Sequence, residues 1–489
     1  MTDVQPFGLL VLAVAVVGLL AVLSNRLSEK VLVPAPLFFL AVAAVAARLF
    51  PALHPVSHRT VERLVTVALI IILFDGGLHI GWPRLHRVIA PVAVVGVAGT
   101  FLTAAAVAAL AHFGFGLDWW VALLLGTAIA PTDPAVVFSV LGKREVSGRS
   151  GTVLEGESGA NDPVGIALMA GLLGAGGVSA ASLAGVAGTF CVQMAVGGVI
   201  GLLGGSALRW LMHHTALPSE GLYPIRTLAA ALAIFGLATV AHGSGFLAVF
   251  VAGVLLGDTR APYKREIERF HSALASLGEI VAFVVLGLTV DLGVLARADV
   301  WVPGLVLGAA LAFLVRPLLV GACLLPFRLA RNEQAFILWA GLKGAVPILL
   351  GSFVLAAGIP GATRLYGIVV VVVAFSVLVQ GSTVPAAARL LRVPMRTVEP
   401  EPWTLGVRLR DEPQGVHRLT VAAGSPADGV TIAALSTLTE DVWISFAIRD
   451  GQLLPVDGGT LLRAGDEILV LAPPDLRVQL DAAFTKHKQ

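Results

Sequence analysis

Gly126-Thr-Ala-Ile-Ala-Pro-Thr-Asp-Pro134 and Gly341-Leu-Lys-Gly-Ala-Val-Pro347 decide the reading of this chain, because each sets one charge among helix breakers inside a long apolar run. Proline lacks the backbone N–H that a helix interior needs. In lipid, unwound backbone survives only where protein or a wet cavity surrounds it. Pro131 and Pro134 bracket Thr132-Asp133, while Gly341, Gly344 and Pro347 bracket Lys343. Interrupted helices at corresponding places in two halves are the pattern of a binding site at the bilayer midplane. The plainer alternative, that these residues merely kink packed helices, leaves the charge at each break unexplained.

Composition puts the breaks in a membrane. Hydrophobic residues make up 57% of the chain and charged residues 13%, against roughly 25% charged in soluble domains, and the mean hydropathy is +0.89. Charges are sparse to about residue 395 and frequent after it, which predicts a membrane domain over 1–395 and a soluble one over 396–489. The opening Met1-Thr-Asp-Val-Gln-Pro has no Lys or Arg, so the first apolar run reads as a spanning helix, not a signal peptide. Cys191 and Cys323 lie in apolar runs without ligand spacing, which argues against disulfides or zinc. No basic stripe interleaved with aromatics is present, so nucleic acid is excluded as a partner.

Apolar runs of spanning length predict an all-α polytopic membrane protein of about thirteen transmembrane helices. They lie near 7–24, 31–49, 62–80, 89–112, 119–142, 152–174, 181–212, 226–241, 244–257, 274–296, 301–325, 333–358 and 366–391. Alternate loops concentrate Arg and Lys, among them Arg84 and Arg87, Lys143, Arg144 and Arg149, and Arg389, Arg392 and Arg396. By the positive-inside rule those loops are cytoplasmic. The N-terminus is then expected outside and the C-terminal domain in the cytoplasm of an inner (plasma) membrane protein.

Ionisable residues at bilayer depth are functional candidates by default, and here they are Asp75, Asp133, Glu155, Glu157, Asp162, Glu279, Asp291, Arg316 and Lys343. Asp133 and Lys343, one at each break, can neutralise the exposed half-helix ends. In Glu155-Gly-Glu-Ser-Gly-Ala-Asn-Asp-Pro163, Ser158 and Asp162 share a helix face, with Asn161 beside it. Their oxygens, with those of Thr132, suit a monovalent cation, and Asp162 can instead hold a proton. Competition for one carboxylate is enough to couple two fluxes. The expected metal ligands are thus Asp162, Ser158 and Thr132, for transported K⁺ or Na⁺, with no cofactor. Glu157 and Arg316 are the expected buried ion pair. Glu279 is expected to snorkel from the cytoplasmic end of its span, and Asp291 to lie near the opposite surface.

These motifs, with Phe74-Asp-Gly-Gly-Leu78, resemble cation:proton antiporters of the NhaP/NHE type over about residues 7–392. The resemblance implies inverted repeats, two broken crossing helices, a homodimer, and a core domain that moves past a dimerisation domain. It implies that Asn161 and Asp162 hold the ion or proton, assisted by Thr132, Asp133 and Ser158, with Glu157 and Arg316 structural. It also implies electroneutral exchange, because the pair is Asn-Asp. One departure is Lys343, where the family usually has arginine; the charge is kept but not the planar fork.

From about residue 402 short apolar stretches at Val416–Val421, Val442–Ile448 and Glu467–Leu471 alternate with turn signals, predicting a small α/β domain. Helices are expected at Thr431–Leu438 and Leu476–Phe484. Ala423-Gly-Ser-Pro-Ala-Asp-Gly429 and Arg463-Ala-Gly-Asp-Glu-Ile-Leu-Val470 resemble a TrkA-C (RCK_C) domain, and the combination resembles cell-volume-regulation antiporters, which favours potassium. The domain is expected either to take a small nucleotide or another cytoplasmic ligand, or to serve as a ligand-free dimer contact. A secondary transporter with membrane lipid around it, and no enzyme, is the overall expectation; a gated cation channel is the rival.

Overall fold

A computed structural model describes residues 34–49, 57–141, 144–146, 148–259, 261–397, 415–437, 442–449 and 452–484, with Gly8, Gly18 and Leu19. The first expected span therefore lies mostly outside the described residues, as does Lys143. The chain forms two compact units, Met1–Pro400 and Glu401–Gln489.

The remaining twelve spans are helical. Seven helices among the described residues are long and apolar enough to cross a bilayer, the longest being Ala180–His214. Their ends carry ordinary punctuation. Asp118 caps Trp119–Ile129 by accepting from the Trp120 N–H, and Gly116 and Gly176 close Thr100–Phe115 and Arg149–Ala175 in left-handed conformations. The fifth span breaks between Trp119–Ile129 and Pro134–Leu141, and the twelfth between Arg331–Trp339 and Ala345–Ala356. The two unwound segments meet where the Asp133 N–H donates to the Leu342 carbonyl at 2.8 Å.

Three spans widen into π-helical turns at Val94–Gly99, Leu311–Val320 and Ser376–Gly381. Such turns free backbone groups and recur at functional sites. All three border the broken helices or the helix Arg149–Ala175. At Gly344 a Cβ would fall on the Asp133 carboxylate, so glycine is what lets the two breaks approach.

The tenth span differs from expectation. It runs Lys264–Leu288, starting ten and ending eight residues nearer the N-terminus than 274–296, so Glu279 sits well inside the helix and not at an end. Polar Lys264-Arg-Glu-Ile-Glu-Arg extends the helix because its charges are good helix formers outside the apolar window. Asp291 lies past the helix and caps a short turn through the Gly293 N–H at 2.7 Å.

A two-stranded antiparallel ladder joins Arg144–Val146, between the broken fifth span and the sixth, to Met395–Thr397, just past the last helix. The second unit holds a four-stranded antiparallel sheet in the order Val416–Thr420, Glu467–Leu471, Trp443–Arg449, Gln452–Leu454. Helix Arg477–Phe484 closes it, burying Leu480 and Phe484 with Ile468 and Val470. The expected helix at Thr431–Leu438 is a 3₁₀ segment, Ile432–Thr437, because β-branched and hydroxyl residues flank only a short apolar run.

Asp466, buried in this unit, accepts from Arg449 Nε and Nη2 at 2.8 and 2.7 Å. Those bonds hold its carboxyl below the usual aspartate range, against the opposing push of burial. A depressed carboxyl contributes stability that is present above its unfolded value of about 3.9 and is lost as pH falls through the folded value. Asp466→Asn is expected to abolish this acid-dependent part of the unit's stability. Hydrogen exchange of strand Trp443–Arg449 in the full chain, compared between neutral and acid pH, checks it.

Candidate functional site

Helix Arg149–Ala175 crosses the breaks and brings Glu157, Ser158, Asn161 and Asp162 to them, all buried. Four residues make somewhat more than one helical turn, so Ser158 and Asp162 stack on one face. Ser158 Oγ donates to Asp162 Oδ2 at 3.3 Å. The other carboxylate oxygen, Asp162 Oδ1, is buried and has no hydrogen-bond partner among the described residues. A buried carboxylate oxygen left unmatched costs the full desolvation of a polar atom, so this atom stands to gain from a partner.

Asn161 is engaged on both sides of its amide by Thr132. Nδ2 donates to Thr132 Oγ1 at 2.7 Å, and the Thr132 N–H donates to Oδ1 at 3.4 Å. Thr132 Oγ1 in turn donates to Glu157 Oε1 at 3.3 Å. The threonine thus ties the unwound strand to the crossing helix, and Asn161 orients it.

Glu157 also meets Arg316 in a two-point pair, with Nη1 to Oε1 at 2.7 Å and Nη2 to Oε2 at 3.0 Å. The side chains are 2% and 7% exposed. Arg316 gives two further donors, Nε and Nη2, to the Leu338 and Ile337 carbonyls, the C-terminal end of the first half of the twelfth span. Carbonyls there carry the negative end of the helix dipole.

Asp133 and Lys343 face half-helix ends rather than each other. Asp133 Oδ1 accepts from the Ala135 N–H at 2.9 Å at the start of Pro134–Leu141. Lys343 Nζ donates to the Ala130 and Pro131 carbonyls at 2.7 and 3.0 Å. Both signs match the dipole they meet. Two carbonyls ask for a point charge and not a planar fork, so lysine serves here. Lys343→Met is expected to lower stability by about 2 to 3 kcal/mol, since hydrogen bonds to charged groups contribute about 1.5 to 3 kcal/mol. Thermal unfolding in detergent reads it, with Lys343→Arg expected to lie between mutant and wild type.

Two participants escaped the sequence reading. The Lys343 N–H donates to Ser376 Oγ at 3.1 Å, Ser376 Oγ donates to Gln380 Oε1 at 2.8 Å, and Gln380 Nε2 donates to the Trp339 carbonyl at 3.1 Å. Ser376 Oγ and Gln380 Nε2 thus serve backbone freed by the twelfth-span break, and the bond between the two side chains joins them. Their signal was a Ser/Gln pair at i, i+4 in an otherwise apolar run. Asp75 stands apart from the cluster, bonded to Ser272 Oγ at 3.2 Å and beside His79 Nδ1 at 3.3 Å.

The comparisons agree with this architecture. The family described as Sodium/hydrogen exchanger, transmembrane, matches residues 11–390, and the TrkA-C domain matches residues 416–484. The K(+)/H(+) antiporter NhaP of Alkalimonas amylolytica is 30% identical over 98% of this chain and 84% of its own length. The K(+)/H(+) antiporter NhaP2 of Shewanella sp. (strain MR-4) is 32% identical over 94% and 80%. The sodium proton antiporter MjNhaP1 of Methanocaldococcus jannaschii superposes with a TM-score of 0.66 at 23% identity, covering 78% of this chain and 98% of that one, a likeness of fold. With a family match across nearly the whole membrane unit and a second behind it, this chain belongs to the sodium/hydrogen exchanger family of cation:proton antiporters and ends in a TrkA-C domain.

Proposed function

We propose that the chain exchanges K⁺ for H⁺, one for one, at Asp162. The observation that carries the reading is the buried, unpartnered Asp162 Oδ1 beside Ser158 and the Thr132 break. A cation and a proton compete for this carboxylate, and the bare charge is costly to carry across an apolar barrier. Only the loaded forms then cross, which couples the fluxes. Ser158 and Thr132 supply further oxygen to the cation, Asn161 positions Thr132, and Asp133 and Lys343 hold the half-helix ends in place.

Potassium is favoured over sodium by the two relatives named for K(+)/H(+) exchange. Sodium is the second reading, supported by the family description. The Lys and Arg distribution supports an inner-membrane orientation with the N-terminus outside and the TrkA-C domain cytoplasmic, and that domain supports a regulatory role, through a small nucleotide or another cytoplasmic ligand, in pH, ion and volume homeostasis. The family fold supports a homodimer in lipid. A channel is disfavoured because no repeated filter-like segment is present.

The test is fluorescence dequenching of a pH dye in acid-loaded proteoliposomes on adding K⁺, Na⁺ or Li⁺. A larger response to K⁺ supports the proposal. A cation current without proton movement sinks it.

A further inference from the structure

The last span ends in a built feature that exchange does not use. A cavity of about 310 Å³ lies among the half-helix Pro134–Leu141, the end of the last helix and strand Met395–Thr397. That is the lower end of the roughly 300–1,000 Å³ range of small-molecule sites. Val140, Leu141, Pro385, Ala388, Val393 and Met395 give it apolar walls, and Arg389 and Arg392 are its charged lining.

Both arginines are free to meet an anion. Arg389 spends Nε on the Pro385 carbonyl at 3.3 Å, and neither guanidinium pairs with a carboxylate among the described residues. Arg392 has φ of +50°, the left-handed position after a helix that glycine usually occupies. Two backbone bonds hold it there, Arg392 N–H to the Arg389 carbonyl at 3.2 Å and Val393 N–H to the Ala388 carbonyl at 3.0 Å. An arginine in a glycine position is a strained choice, of the kind that marks function. Leu390, between the two arginines, is 83% exposed, as befits a lipid-facing residue at a membrane boundary.

Apolar walls and two cations with no carboxylate partner among the described residues match one class of ligand. We propose that this cavity seats the headgroup of an anionic phospholipid, its phosphate on Arg389 and Arg392 and the start of its acyl chains on the apolar wall. The lipid touches both the last span and the half-helix whose N-terminus Asp133 holds. Its occupancy therefore sets how readily that half-helix moves, and exchange rises with anionic lipid.

Lipid retention tests the site without reference to transport. In native mass spectrometry of the purified full-length protein, phosphatidylglycerol is expected to be retained in preference to phosphatidylcholine. The R389Q/R392Q double variant is expected to bind it about thirtyfold more weakly, as two basic contacts near an anionic surface allow. Val140→Phe, which keeps both charges but fills the wall, is expected to lose retention too, and it decides the matter if the double variant does not fold. Unchanged retention in either variant overturns the site, and an equal loss in an R84Q/R87Q control shows only unspecific surface charge. Exchange rests on the function proposed above, so it is read second. Vesicles with phosphatidylglycerol are expected to be severalfold more active than pure phosphatidylcholine vesicles. Inorganic phosphate restoring activity in the neutral vesicles would make the ligand a free anion and sink the lipid.

Discussion

Asp162→Asn is expected to reduce cation-driven dequenching to the level of empty vesicles, at least a hundredfold below wild type, with the protein still folded and inserted. The amide nearly matches the carboxylate in shape and keeps an acceptor for the Ser158 hydroxyl, which donates to Oδ2 at 3.3 Å. It removes the charge for which, in the proposed function, a cation and a proton compete. Since Asp162 Oδ1 makes no hydrogen bond among the described residues, the exchange removes no packing and strands no partner. A normal melting temperature with abolished transport is the signature of a cargo ligand; equal dequenching from wild type and mutant would end the site assignment.

The opposite signature is expected from Arg316→Met. Losing the guanidinium leaves Glu157 charged and buried beside Thr132, and it strips the Leu338 and Ile337 carbonyls of their donor. Breaking a buried pair from one side costs about 3 to 5 kcal/mol. The fall should be visible as a large drop in thermal stability in detergent. Replacing both partners, E157Q with R316M, should recover part of it, because the double change leaves no charge of this pair buried without its partner. A single Arg316→Met that melts like wild type would show that the pair is not a structural bond.

Much of this was legible in the chain, for reasons that can be named. Pro131, Pro134, Gly341 and Gly344 advertise the breaks because backbone chemistry is local. Ser158 and Asp162 are legible as neighbours because helical spacing is fixed. The start of the tenth span was misplaced by ten residues because Lys264–Glu268 are helical without being apolar, and a hydropathy window sees only the second property. That Asp133 and Lys343 face half-helix ends, and that Thr132 takes up both sides of the Asn161 amide, depends on how the two breaks cross, which spacing along one helix does not encode. Ser376 and Gln380 were passed over because neutral polar residues in a span draw less notice than charges, though they serve the same unwound backbone.

The Glu157–Arg316 bond also orders the protein's birth. The partners are 159 residues apart in sequence, and a ribosome adding about 5 to 20 residues per second needs roughly 8 to 30 s to make that stretch. Through that interval the acid has been made and the base does not yet exist. The pair can close only after residue 316 has been made, so completion of the charged cluster around the two breaks is a late event of biogenesis.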